Sequence, residues 1–283
     1  MISPYFLKAG GLGLSGRISG RTSRPRGLVV TLHGGTYDSA YYDIDSASLL
    51  SLAPALDLCV VALDRPGYGS ARGSESALQS FDGQAAVLQS ALKRLSDDVQ
   101  PAHGTVLVGH SIGGMIALTL AARGTPGLRG VEVSGIGEVW RPGLREMWNS
   151  FIGSDPFVEV PPEPHADVML GPQGSYMPTR RALDADLVRP MPMPELIDAV
   201  RWSELFPTVA ADIDVPVGLT FAEHDNIWMS DEPARSLAAS RFIKAPSLNV
   251  DLVTTAGHCI ELHNRSRSYC LRQLAFIEDC LTA

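Results

Sequence analysis

The chain is poor in the features that mark several protein classes. Only four cysteines occur in 283 residues. They are Cys59, Cys259, Cys270 and Cys280, without C-x-x-C spacing, so neither a disulfide scaffold nor a cysteine metal site is expected, and the thiols read as reduced and mostly buried. No run approaches the roughly 18 apolar residues of a membrane-spanning helix. Residues 1–14 carry no charged segment followed by an apolar stretch, so no signal peptide is expected and the cytoplasm is the expected location. Basic charge is also scarce: 23 Lys and Arg face 31 Asp and Glu, a net charge of −8. That balance argues against nucleic acid and anionic membrane as partners, since both need a basic surface. The one basic cluster, Arg17, Arg21, Arg24 and Arg26, is interleaved with Ser, Gly and Pro and reads as a solvated hairpin loop. No internal repeat is present.

What remains is a globular composition, 45% hydrophobic, in a chain long enough for one α/β domain with an insertion. Short apolar segments at 5–8 and 14–19, separated by Gly10, Gly11 and Gly13, predict an antiparallel hairpin. Residues 27–32 form an unbroken apolar run of the buried parallel type, leading into His33-Gly34-Gly35-Thr36. A first helix is expected over 46–56, bounded by Pro54. A second buried strand at 58–63 ends in Asp64-Arg65-Pro66-Gly67-Tyr68-Gly69-Ser70, and apolar residues at three- and four-residue spacing predict an amphipathic helix over 77–95. A further strand is expected at 128–133. Alternating strands and helices specify a mostly parallel central sheet with helices on both faces.

The character changes after Gly137. Residues 138–207 show little strand signal, recurrent proline and scattered large apolar side chains, which reads as an inserted lid of short helices and extended segments. The β/α pattern resumes in 208–283, with strands at 215–221 and 248–253 and helices over 232–240 and about 260–281. The chain thus divides into a first core segment over 1–137, a lid over 138–207 and a second core segment over 208–283.

The motif with the most chemistry in it is Gly109-His110-Ser111-Ile112-Gly113-Gly114. It lies between the strand residues Val106, Leu107 and Val108 and the helical run that starts at Met115. A serine on such a turn has a strained backbone and a hydroxyl held out from the fold, while glycines at Gly109 and Gly113 avoid collisions with neighbouring backbone. The pattern alone is cheap, because roughly 0.2 to 0.3 G-x-S-x-G matches are expected by chance in a chain of this glycine and serine content. Its context carries the weight.

Five landmarks in order, each at the carboxyl end of an expected strand, give the chain a resemblance to the α/β-hydrolase superfamily. They are His33-Gly34-Gly35, the segment Asp64 through Ser70, the Ser111 elbow, Pro216-Val217 leading to Ala222-Glu223-His224-Asp225, and Ala256-Gly257-His258. The resemblance covers the chain apart from the lid. Two departures stand out: Ala222 where many relatives have glycine, and Ser70 directly after Gly69 where a spacer is common. The resemblance implies that Ser111 is a nucleophile, His258 its base and Asp225 the acid that orients His258, in the superfamily's chain order. Glu223 and Glu138 are the alternatives for the acid. The amides of Ile112 and Gly35, with Thr36 as a substitute, are the expected oxyanion donors. His33 and Arg65 are expected to be structural, and His103, His110, His165, His224 and His263 to be filler. Trp140, Trp148, Phe151, Met177 and Trp202 are the expected substrate-binding side chains of an apolar pocket.

Together these predict a serine hydrolase acting on a medium-sized, largely apolar ester, thioester or lactone, with a small-molecule substrate as its partner and no cofactor or metal. A serine at the elbow argues against epoxide hydrolases and haloalkane dehalogenases, which carry aspartate there. The rival reading is a relative that does not hydrolyse: a small-molecule receptor, or a cyclase or lyase of a biosynthetic pathway.

Overall fold

The computed structural model describes residues 1–282. The chain opens with the hairpin β1 (Ser3–Ala9) and β2 (Leu12–Ser19), then builds β3 (Gly27–Leu32), β4 (Leu58–Leu63), β5 (Thr105–His110), β6 (Leu128–Ser134), β9 (Val217–Ala222) and β10 (Leu248–Val253) into one sheet. The order across that sheet is β1-β2-β4-β3-β5-β6-β9-β10. β1 and β2 pair antiparallel, as do β2 and β4, and every later neighbour pairs parallel. All residues of β3, β4, β5 and β9 are buried, which is why their sequences run apolar without alternation.

Helices α1 (Leu49–Leu52), α2 (Phe81–Val99), α3 (Ile112–Ala122), α9 (Glu232–Ala239) and α10 (Ser266–Thr282) belong to the core. α3 is buried on nine of its eleven residues, so it has no polar stripe and follows the serine straight into the centre of the fold. α2 starts later than its apolar spacing suggests, because Ser80 caps it by accepting the Gly83 amide at 3.2 Å, leaving 76–79 as a 3₁₀ turn. The helix expected over 46–56 is broken into α1 and a 3₁₀ turn over 53–56; Pro54 has no amide to continue the ladder. The closing helix is likewise interrupted, with a 3₁₀ turn at Ile260–Leu262 ahead of α10. There the His263 ring accepts the amides of Gly171 and Gly257, each at 2.9 Å.

Between β6 and β9 lies an insertion. It holds α4 (Leu144–Asn149), α5 (Pro162–Met169), α6 (Thr179–Leu187), α7 (Met193–Val200) and α8 (Trp202–Ala211), with a two-stranded ribbon of β7 (Phe157–Val158) and β8 (Met191–Pro192). Pro161, Pro178 and Pro192 stand at the N-caps of α5, α6 and α7. The recurrent prolines thus cut the insertion into short helices without excluding them. No helix among the described residues is long and apolar enough to cross a membrane.

Candidate active site

Ser111 sits on the turn from β5 into α3 with φ 52° and ψ −125°. That backbone conformation is rare for a residue with a side chain and persists only when its surroundings over-determine it. Here they do. A Cβ on Gly113 would lie 2.1 Å from the Leu32 carbonyl oxygen and 2.3 Å from that of His33, and one on Gly109 would lie 2.6 Å from backbone of Gly113 and Gly114. Strand, turn and helix are therefore packed backbone to backbone. The Ser111 amide donates to the Ser134 carbonyl at 2.8 Å, which ties the turn to the end of β6.

Three expected residues converge. Ser111 Oγ is 2.9 Å from His258 Nε2, and His258 Nδ1 is 2.9 Å from Asp225 Oδ2. The other Asp225 oxygen accepts the amides of Ile227 at 2.8 Å and Trp228 at 3.1 Å, so the carboxylate is fixed by the loop that carries it. Both alternative acids are engaged elsewhere. Glu138 forms a two-point pair with Arg241 at 2.8 and 2.6 Å, and Glu223 accepts the Thr255 amide at 2.7 Å. A carboxylate that holds Nδ1–H leaves the Nε2 lone pair facing the serine hydroxyl, the arrangement a general base requires.

The loop after β3 faces the same point. Ile112, Gly35 and Thr36 all line the cavity above Ser111. The Gly34 carbonyl is held by His33 Nδ1 at 2.8 Å and an Arg65 guanidinium nitrogen at 3.1 Å, at the opposite edge of the same trans peptide from the Gly35 amide. Burial, then the neighbouring Arg65 charge, drives the His33 pKa down to about 3, and the neutral ring accepts the Arg65 amide at 3.1 Å. Among the described residues no protein acceptor takes the amides of Gly35 or Ile112. Thr36 as a substitute donor needs correction: its amide already donates to the Tyr68 hydroxyl at 3.3 Å.

The cavity opens to solvent, and no lysine or arginine lines it. Its walls include Met115, Trp140, Trp148, Met191, Leu196 and Trp228. Of the expected substrate-binding side chains, Trp140 and Trp148 are there and three are not. Trp202 is fully buried between Phe81 and Phe206, a core anchor on the inner face of α8. Met177 is 57% exposed, on the outside of the insertion, and Phe151 packs on the Trp148 ring at 5.9 Å, half-exposed and behind the wall. Trp228, three residues beyond Asp225, carries no recognisable signal in the sequence; its ring stacks on Trp140 at 4.2 Å.

A sequence profile described as the Alpha/beta hydrolase family matches residues 29–267. The chain belongs to this family. It is similar to human monoglyceride lipase, 29% identical over 119 residues, which cover 42% of this chain and 38% of the lipase. It is also similar to the 2-succinyl-6-hydroxy-2,4-cyclohexadiene-1-carboxylate synthase of Klebsiella pneumoniae, 34% identical over 84 residues, or 30% of this chain and 29% of the synthase. In each case the match spans well under half of the relative. Among solved structures, E-2-(acetamidomethylene)succinate hydrolase superposes with a TM-score of 0.70 at 18% identity, covering 98% of this chain and 100% of that one. At that identity the likeness is one of fold.

Two features brace the site from below and from the side. His110 stacks on Tyr41 at 4.8 Å, meets Ser134 Oγ through Nδ1 at 3.1 Å, and is held well below the ordinary histidine pKa by burial and then by His258. Arg65, wholly buried, donates to Glu195 on α7 at 2.5 and 3.1 Å. Burial alone would lower its pKa, and the Glu195 carboxylate reverses the net direction. Arg65 is thus structural, as expected, and it ties the loop after β4 to the insertion.

Proposed function

We propose that this α/β-hydrolase cleaves neutral, largely apolar carboxylic esters, thioesters or lactones of medium size through an acyl-enzyme on Ser111, with the insertion as a lid over the acyl pocket. The observation that carries the reading is the hydrogen-bonded line Ser111–His258–Asp225 opening into a cavity without cationic lining. In the reaction, Ser111 Oγ attacks the carbonyl carbon as His258 Nε2 takes its proton. The carbonyl oxygen becomes an oxyanion between the Gly35 and Ile112 amides. His258 then protonates the departing alcohol or thiol, and the same ring activates a water that returns the acid and the free serine.

The uncharged walls speak for a neutral acyl group. The product named for the Klebsiella synthase and the succinate named for the acetamidomethylene hydrolase are both carboxylates, and an anion placed in this cavity would find no lysine or arginine to offset its desolvation. Hydrolysis of p-nitrophenyl esters of rising acyl length by wild type and Ser111→Ala tests the proposal. Turnover that peaks at one chain length and vanishes in the variant supports it. A folded wild type that turns over none of the esters overturns it in favour of a receptor or a lyase.

A further inference from the structure

Thr36, beside the Gly35 amide, has φ +65°, a left-handed conformation that a β-branched residue rarely adopts. Each of its polar groups is engaged. The amide donates to Tyr68 Oη, whose own hydroxyl donates to Glu195 of α7 at 2.5 Å. The carbonyl accepts the Arg189 amide at 2.7 Å. The hydroxyl donates to the Gly35 carbonyl and is joined to His165 Nε2 at 2.7 Å. His165 is on α5, and its Nδ1 meets Asp184 of α6 at 2.8 Å, while the other Asp184 oxygen accepts the Tyr37 hydroxyl at 2.6 Å. Thr36, His165 and Asp184 are each at least 99% buried. A strained loop residue on the core is thus clamped by helices of the insertion, and the clamp ends one peptide away from an oxyanion donor.

We infer that His165 is a positioning residue: through Thr36 it holds the oxyanion loop in its working conformation, so that seating the lid and assembling the oxyanion hole are one event. This rests on the hydrolytic reading above. With α5 and α6 lifted, Thr36 loses its hydroxyl partner and relaxes toward negative φ, which turns the Gly35 peptide away from Ser111. Hydrolysis is then confined to the closed state, in which the acyl group is enclosed by apolar walls.

The test is a double-mutant cycle on ester hydrolysis. His165→Phe keeps an aromatic ring and removes both nitrogens; it is expected to lower kcat about 10- to 100-fold with KM changed by less than about threefold, because the loss falls on oxyanion stabilisation and not on the pocket. In a Thr36→Gly background, where the backbone takes φ +65° without a clamp, the same change is expected to cost less than about threefold. Equal losses in the two backgrounds, or no loss in either, overturn the inference. If His165→Phe does not fold, Asp184→Asn is read in the same way. Hydrogen exchange over residues 33–40 reads the clamp without any turnover: faster exchange in the His165 variant supports it, and unchanged exchange overturns it. A wild type inactive on all esters contradicts the proposed function and leaves that exchange measurement to decide the clamp.

Discussion

The substitution Asp225→Asn isolates the orientation of His258 from the rest of the site. Asp225 Oδ1 accepts two backbone amides, from Ile227 and Trp228, and Oδ2 faces His258 Nδ1. An asparagine must keep its carbonyl oxygen against the two amides, since the flipped rotamer would set donor against donor and orphan two buried N–H groups at about 1–3 kcal/mol each. Its NH₂ therefore faces His258 and donates to Nδ1. The ring is driven into the tautomer with hydrogen on Nε2, 2.9 Å from Ser111 Oγ, where a lone pair is needed. The expected loss in kcat is about 10⁴-fold, the size of the corresponding change in the serine protease triad, or about 5 kcal/mol of transition-state stabilisation. Initial rates on the best p-nitrophenyl ester, with thermal melts to confirm folding, measure it. A folded variant that keeps more than about a tenth of the wild-type rate would refute the argument from tautomer.

Other expectations follow from the same geometry. Glu195→Gln leaves the wholly buried Arg65 without its carboxylate and should lower unfolding stability in urea by about 3–5 kcal/mol. Ala199→Phe, placed in the cavity wall, should move the optimum of kcat/KM to shorter acyl chains. Gly113→Ala would press a Cβ to 2.1 Å from the Leu32 carbonyl oxygen and should abolish folded protein, whereas Gly73→Ala, with open space around it, should change stability by less than about 0.5 kcal/mol. Burial raises the pKa of Glu132 and of Glu261 from 4.5 to about 7. The native state then holds more protons on these two groups than the unfolded chain between those values, so their contribution to stability is full below pH 4.5 and is lost as pH rises through about 7, by on the order of 3 kcal/mol per carboxyl. Chemical unfolding at pH 5 and pH 8 should show that fall, and Glu132→Gln should reduce it.

The sheet could be read from the sequence because β3, β4, β5 and β9 are buried, largely apolar runs that end in turn-forming clusters, and the converging residues Ser111, Asp225 and His258 stand at or within a few residues of strand ends. Chain order and strand ends were enough to bring them together. The insertion was less legible. Its aromatic and methionine content announces an apolar environment, but which face each side chain takes depends on helix boundaries that short, proline-started helices set. Trp140 and Trp148 therefore line the cavity, Trp202 anchors α8 in the core, and Met177 faces outward. The partners of His165 and Glu195, Thr36 and Arg65, are 129 and 130 positions away. No local pattern pairs residues so far apart. Glu195 on the buried face of the helix Met193–Val200 was the signal available, since a carboxylate on a buried face needs a cation.

The central claim is that Ser111 is an activated nucleophile. It is tested most directly by treating wild type and Ser111→Ala with a fluorophosphonate and locating any adduct by mass spectrometry of the digested protein. The account predicts one adduct per chain, on Ser111, formed by wild type alone. A folded wild type that takes no label, or a Ser111→Ala variant that labels as fast as wild type, would contradict it.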